Sequence, residues 1–197
     1  MPRPNMSAKR IPQILDAAML VFARNGLQSA RLEEVALAAG VSKATIYLYF
    51  KSKDDLIAAL MKRFFEQNMD VLQHLRLTKG DFRTILTDWL DQTEEMLSEN
   101  QIFVAIGLEF YSYAGRNEAA RKMVHGFFVE FRCILTEMIE QALSTRGQST
   151  APASDIAFGL MSLFEGSNVL GALFNWDTKM YRQVQTNMRY LLDGAGL

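Results

Sequence analysis

The sequence is poor in the residues that most specialised chemistries need. It has one cysteine, four prolines, two histidines and a formal net charge of −1 over 197 residues. A single cysteine excludes an internal disulfide and a cysteine-rich metal site, and suits a reducing compartment. Cys133 lies inside an apolar helical pattern, which predicts a buried, inert thiol. His74 and His125 have no ligand-like neighbours in sequence, and the chain holds no nucleophile elbow, phosphate loop or zinc motif. An enzyme is therefore not expected, nor is a metal or a cofactor. No uninterrupted apolar run reaches the roughly 18 residues of a spanning helix, and the polar, basic start Met1–Arg10 leads into no apolar signal-peptide core. The expectation is a cytoplasmic protein with no membrane partner. Alternating strands, hairpin signals and internal repeats are also missing, which leaves an all-α chain.

What is present is a 49% hydrophobic fraction, ample for a packed core, and an uneven charge. Residues 1–63 carry 10 Lys/Arg against 5 Asp/Glu, whereas residues 64–197 carry 11 against 17. A basic front and an acidic back point the front towards a polyanion.

The apolar periodicity predicts a first helix over Ile11–Arg24, with Ile14, Ala18, Val21 and Phe22 on one face and Asn25-Gly26 ending it. A short second helix follows over Leu32–Ala38, with Glu33 and Glu34 in its first turn, where acids suit the helix dipole. Gly40 supplies a turn. Ser42 caps a third helix that runs to about Tyr49. Ser52 caps a fourth, with Ser52-x-x-Asp55 approximating a capping box, and this helix continues to about Leu75. Longer helices are predicted over Asp81–Glu99, Ile102–Tyr113, Glu118–Ser144, Ser154–Phe174 and Thr178–Leu192. The segment Thr145–Ala153, rich in Ser, Thr, Gly and Pro, is expected to be a mobile linker.

Two short helices joined by a glycine turn and preceded by a longer helix form a helix-turn-helix. Ala36 lets the two short helices approach, Gly40 takes the positive-φ turn, and Val41, Ile46 and Phe50 anchor the third helix to the core. The outward residues of that helix are Ser42, Lys43, Ala44, Thr45, Tyr47, Leu48 and Tyr49. Hydroxyls and cations in this pattern suit phosphate oxygens, Lys43 suits a guanine edge, and the methyls of Ala44 and Thr45 suit thymine. Core packing is the alternative for Tyr47 and Tyr49. Lys51 and Lys53 stand at the mouth of the fourth helix, and Lys9, Arg10 and Arg31 extend the same basic rim. A helical adaptor binding only protein would not explain this basic, hydroxyl-rich helix.

The stretch Val35-Ala36-Leu37-Ala38-Ala39-Gly40-Val41-Ser42-Lys43-Ala44-Thr45-Ile46-Tyr47-Leu48-Tyr49-Phe50-Lys51-Ser52-Lys53-Asp54-Asp55-Leu56 resembles the signature of the tetracycline-repressor (TetR) family. Upstream, Ile14-Leu15-Asp16-Ala17-Ala18 and Phe22-Ala23-Arg24-Asn25-Gly26 are similar to that family's first helix. The resemblance covers roughly the first 60 residues. It implies an all-α fold with a three-helix, homeodomain-like DNA-binding head, here residues 1–53. A helical-bundle body for ligand binding and dimerisation would occupy 54–197, with a helix over about 54–75 connecting the two. It further implies a homodimer on a double-stranded, pseudo-palindromic operator, most often a repressor released by a small-molecule effector. An activator, or a regulator without a ligand, has the same fold. DNA contacts are implied for Ser42, Lys43, Thr45, Tyr47 and Tyr49, with a phosphate contact for Lys53. One position departs from the pattern: Arg31 stands where the family usually has Thr or Ser. The cap of the second helix is then expected to shift to Ser29 or to water.

Beyond about Met61 the residues speak alone. Gly159, Gly166 and Gly171 within one predicted helix suggest close packing against another helix, either a symmetric partner or a neighbour in the same chain. With Leu170, Tyr181 and Met188 they outline a candidate dimer interface. Candidate effector-pocket residues are Trp89, Phe103, Glu109, Tyr113, Phe131, Phe164, Glu165 and Asn168, with His125 as a further polar group in an apolar pattern. A glutamate lining the cavity would favour a cationic or hydrogen-bonding amphipathic ligand. For any one aromatic residue, plain core is the alternative.

Overall fold

The computed structural model describes the backbone of residues 6–99, 101–174 and 178–197, and the side chains of 8–93, 101–174 and 182–197. The described residues are helical and contain no strand. The helices are α1 (Met6–Asn25), α2 (Leu32–Ala38), α3 (Lys43–Tyr47), α4 (Lys53–Leu77), α5 (Phe82–Glu99), α6 (Gln101–Ala114), α7 (Glu118–Thr145), α8 (Ala153–Leu173) and α9 (Thr178–Ala195). α1 starts five residues before the expected Ile11 and carries Pro12 within it.

The chain forms two compact units, residues 1–66 with 105–124, and residues 67–104 with 125–197. The expected division at 53/54 is drawn by role. Compactness divides the chain differently, because the first unit includes most of α6 and the start of α7.

In the first unit α1 packs on α2, and α2 on α3. Ile14, Ala18, Phe22, Val35 and Ile46 are fully buried, and Leu56, Ile57, Leu60 and Met61 of α4 join them. The rings of Phe64 and Phe110 meet edge-on with centroids 5.3 Å apart. α2 ends in a Schellman cap: the Gly40 amide donates to Leu37 O at 3.1 Å and the Val41 amide to Ala36 O at 3.0 Å. Gly40 has φ +62°, which a β-carbon disfavours. At the start of α4, Ser52 Oγ accepts the Asp55 amide at 3.1 Å, and Asp55 Oδ2 accepts the Lys51 amide at 2.9 Å. The carboxylate thus satisfies the amide one residue upstream of the one a standard capping box would use.

In the second unit α8 packs on α9, as does α5, around a core that includes Leu90, Phe131, Ile139, Leu143, Ala157, Leu160 and Leu192. The start of the Thr145–Ala153 linker, expected to be mobile, is tied to the end of α7. The Gln148 amide donates to Leu143 O at 3.0 Å, closing a second Schellman turn with Gly147 at φ +67°. Arg146 pairs with Asp81 at 2.6 Å.

Cys133 is exposed, contrary to expectation. Phe131, Ile134 and Leu135 carry the buried face of α7, and position 133 turns away from it beside exposed Arg132. α8 also corrects a reading. Over 18 residues its mean hydropathy is 1.4, so by length and composition alone it is apolar enough to cross a membrane. The sequence showed no unbroken apolar run because Asp155, Glu165 and Asn168 interrupt it. Its buried residues, among them Ile156, Ala157 and Leu160, belong to the packed core of the second unit.

Candidate nucleic-acid interface

α3 is short. It is held at one end by its cap and from beneath by its core residues. Ser42 stands at the N-cap with extended backbone, and its Oγ accepts the Thr45 amide at 3.1 Å. The Ser42 and Thr45 hydroxyls lie 2.8 Å apart. Beneath the helix Ile46 is fully buried and Phe50 is nearly so. This leaves Ser42, Lys43, Ala44, Tyr47 and Leu48 exposed, with Thr45 and Tyr49 half-buried. Tyr47 is 48% and Leu48 79% accessible, high for residues so apolar. A rigid helix with outward hydroxyls, a cation and thymine-compatible apolar groups has the chemistry of a major-groove reader.

Electrostatics links this face to α2. Lys43 Nζ donates to Glu33 Oε1 at 2.6 Å and lies 5.8 Å from the Tyr47 ring centroid. The hydrogen bond from Lys43 holds the Glu33 carboxyl below its ordinary range, and Glu33 raises the lysine in return. Both groups are therefore charged at neutral pH. Sequence reasoning placed Glu33 only as an acid in the first turn of α2. A pair ten residues apart, across a turn, leaves no local spacing signal.

The basic rim divides. Lys9, Arg31 and Lys51 are exposed, and Arg10 is half-buried. Arg10 donates to Gln13 Oε1 at 2.8 Å, and Gln13 Nε2 donates to Ala39 O at 2.6 Å, tying α1 to the end of α2. Lys53 is half-buried, and its ammonium donates to Ala30 O at 2.6 Å and to Gln28 O at 2.8 Å. Two of its three protons thus fasten α4 to the loop before α2. Arg31 itself is the N-cap of α2. A guanidinium cannot accept a hydrogen bond, so the cap works in reverse. Glu34 Oε2 accepts the Arg31 amide at 2.8 Å, a bond at this helix start that the expected cap by Ser29 or water does not include.

The second unit holds a small apolar cavity of about 20 Å³. Its lining comes from α4, α5, α7, α8 and α9, and includes the expected Trp89, Phe131 and Phe164. Trp89 and Phe164 have ring centroids 4.9 Å apart. Every lining residue is aliphatic or aromatic, and no acid is among them.

Two expected pocket residues belong to the first unit. Glu109 Oε2 accepts the Leu27 amide at 2.8 Å and packs against Gly26, so its charge serves the α1–α2 turn. The Tyr113 hydroxyl donates to Asp54 Oδ1 at 3.1 Å and accepts from Asn117 Nδ2 at 3.0 Å. Burial, and then Asp54, raise the Tyr113 phenol above its ordinary value. Phe103, Glu165 and Asn168 are half-buried outside this lining, Asn168 with its Oδ1 shielded and unpartnered. His125 is exposed.

The expected dimer residues also separate. Met188 is buried and lines the cavity, so it is not available to a partner. A β-carbon on Gly159 would meet Leu191 Cδ2 at 3.0 Å, so this glycine serves packing of α8 on α9 within the chain. Gly171, read with them, is buried. Gly166 is open, with nothing within 4 Å of a β-carbon built there. Leu170 is exposed. The side chain of Tyr181 lies outside the described residues. Sequence reasoning missed Phe158, Val169, Leu173 and Phe174, which are exposed and extend the Gly166–Leu170 face of α8. Their spacing is helical, but an apolar helix offers no sequence cue to which face is covered.

Among the described residues no three His, Cys, Asp or Glu side chains gather where they could hold a metal ion. The family model "Bacterial regulatory proteins, tetR family" matches residues 14–60. The chain is 28% identical over 149 residues to the fatty acid metabolism regulator protein of Bacillus subtilis, covering 75% of this chain and 77% of that one. Among solved structures, the transcriptional regulator FadR from Bacillus subtilis in complex with stearoyl-CoA superposes with TM-score 0.74 at 21% identity, over 93% of this chain and 98% of the other. A regulator from Saccharomonospora viridis in complex with choline superposes with TM-score 0.80 at 18% identity, over 94% and 96%.

Proposed function

The chain belongs to the TetR family of DNA-binding transcriptional regulators, and from that premise we propose that it is a cytoplasmic repressor. It binds a pseudo-palindromic operator as a homodimer and is released by a small molecule with an apolar tail. The observation that carries the DNA reading is α3: its core side is locked by Ile46 and Phe50 while Ser42, Lys43, Ala44, Tyr47 and Leu48 stand outward. In the proposed complex Thr45 and Tyr49 flank these residues, and Arg31, Lys51 and the remaining proton of Lys53 meet phosphates. Two such heads would sit on half-sites about 34–36 Å apart, or on a longer multiple of the helical turn. The proposed dimer joins the Phe158–Gly166–Leu170–Leu173 face of α8 to its symmetric copy.

The effector class follows from the second unit. A cavity lined by aliphatic and aromatic side chains, without an acid, favours an apolar chain over a cation. The fatty acid metabolism regulator among the relatives supports this reading. The regulator solved with choline marks the competing one. Stearoyl-CoA, coenzyme A alone and choline serve as probes on the purified protein. Stearoyl-CoA is expected to raise the Tm and to release the protein from a duplex that it has enriched from a randomised library. Coenzyme A and choline should do neither. Release by choline alone would overturn the apolar assignment. Failure to enrich any duplex would overturn the DNA reading.

A further inference from the structure

The Glu33 carboxylate is an anomaly on a face that is to meet a polyanion. It stands 2.6 Å from Lys43 Nζ, at the start of the recognition helix. Both side chains keep about half of their exposure, so the contact is not forced by burial. Lys43 is also the first residue of α3, where the helix dipole disfavours a cation. The Tyr47 ring lies on its other side. The ammonium is therefore held between a carboxylate and an aromatic face.

We infer that Glu33 is a specificity-determining residue, holding Lys43 for base-edge contact and lowering its attraction for phosphates of any sequence. This rests on the proposed DNA function.

A free surface lysine pairs with whatever phosphate is near, and that energy is independent of sequence. Paired with Glu33, the side chain presents close to no net charge. To follow a phosphate, Lys43 must leave Glu33 behind, facing that same phosphate. A guanine edge makes no such demand. Its O6 and N7 are neutral acceptors, and the ammonium has two protons left after the bond to Glu33. The surface pair contributes little to stability, so its effect should appear in discrimination and not in folding.

The test compares full-length wild type with Glu33→Gln, Lys43→Met and the double variant. Binding is measured by fluorescence anisotropy over a range of salt, on a duplex enriched by wild type from a randomised library and on a scrambled duplex. Glu33→Gln should bind the scrambled duplex roughly threefold to tenfold tighter, with a salt slope steeper by about one phosphate contact. It should gain less on the enriched duplex, so discrimination falls. In the Lys43→Met background the same change should have no effect on discrimination. Unchanged scrambled affinity and salt slope in Glu33→Gln overturns the inference. So does an equal effect in the Lys43→Met background, which would make Glu33 a diffuse charge. If wild type binds neither duplex, the proposed function itself fails, a result distinct from both.

Discussion

At position 40 the backbone has φ +62° with open space around it, so conformation alone requires glycine there. Gly40→Ala should lower stability by about 1–2 kcal/mol, read from urea unfolding, while leaving the contacts of α3 intact. Glu109 carries the opposite kind of dependence. It accepts the Leu27 amide through a separation of 82 residues. Glu109→Ala leaves that amide without its partner and should destabilise by about 1–3 kcal/mol. Glu109→Gln, which keeps an acceptor oxygen, should cost less. Equal losses for the two variants would mean that packing against Gly26, and not the hydrogen bond, is what matters. Tyr47 is 48% exposed. Tyr47→Ala should therefore weaken DNA binding without lowering the Tm, and an unchanged affinity and salt slope would remove it from the interface.

At the scale of the element, α8 is the most instructive helix. One face is spent on the core and the cavity; on the other, Leu191 of α9 meets Gly159, while further along Gly166 is open and Leu173 and Phe174 are 71% and 64% exposed. An apolar stripe of this kind marks an interaction surface. Leu170→Glu with Leu173→Glu should shift the protein from dimer to monomer in light scattering and reduce DNA affinity, with the helical circular dichroism kept. A dimer that survives both changes would place the interface elsewhere. Gly159 and Gly166, seven residues apart, show how identical residues divide. Leu191 fills the space beside Gly159, and nothing in the chain approaches Gly166.

The whole molecule is two units joined by continuous helices, since the unit boundaries fall inside α4, α6 and α7. The proposed recognition surface lies in one unit and the apolar cavity in the other. In the proposed mechanism the effector and operator sites share a coupling free energy, and such coupling is reciprocal. Operator DNA should therefore weaken stearoyl-CoA binding by the same factor by which stearoyl-CoA weakens operator binding. Titrating the acyl probe with and without the enriched duplex, and the duplex with and without the acyl probe, measures the two factors, and unequal values would exclude a simple two-site linkage.

The sequence by itself determined the helical fold and the head. Helical periodicity, the Ser42 and Ser52 caps and the Gly40 turn are local features, so their physics is written within a few residues. The outward face of α3 was legible for the same reason, because Ile46 and Phe50 sit at spacings that leave little choice. Tertiary structure decided everything that depends on which apolar face is covered or on pairs distant in sequence. It turned Cys133 outward and Met188 inward. It assigned Glu109 to Leu27, Lys53 to the carbonyls of Gln28 and Ala30, and Glu33 to Lys43. An apolar residue looks the same in sequence whether it meets its own core, a cavity or a second subunit. A charge likewise does not announce a partner brought to it by a turn.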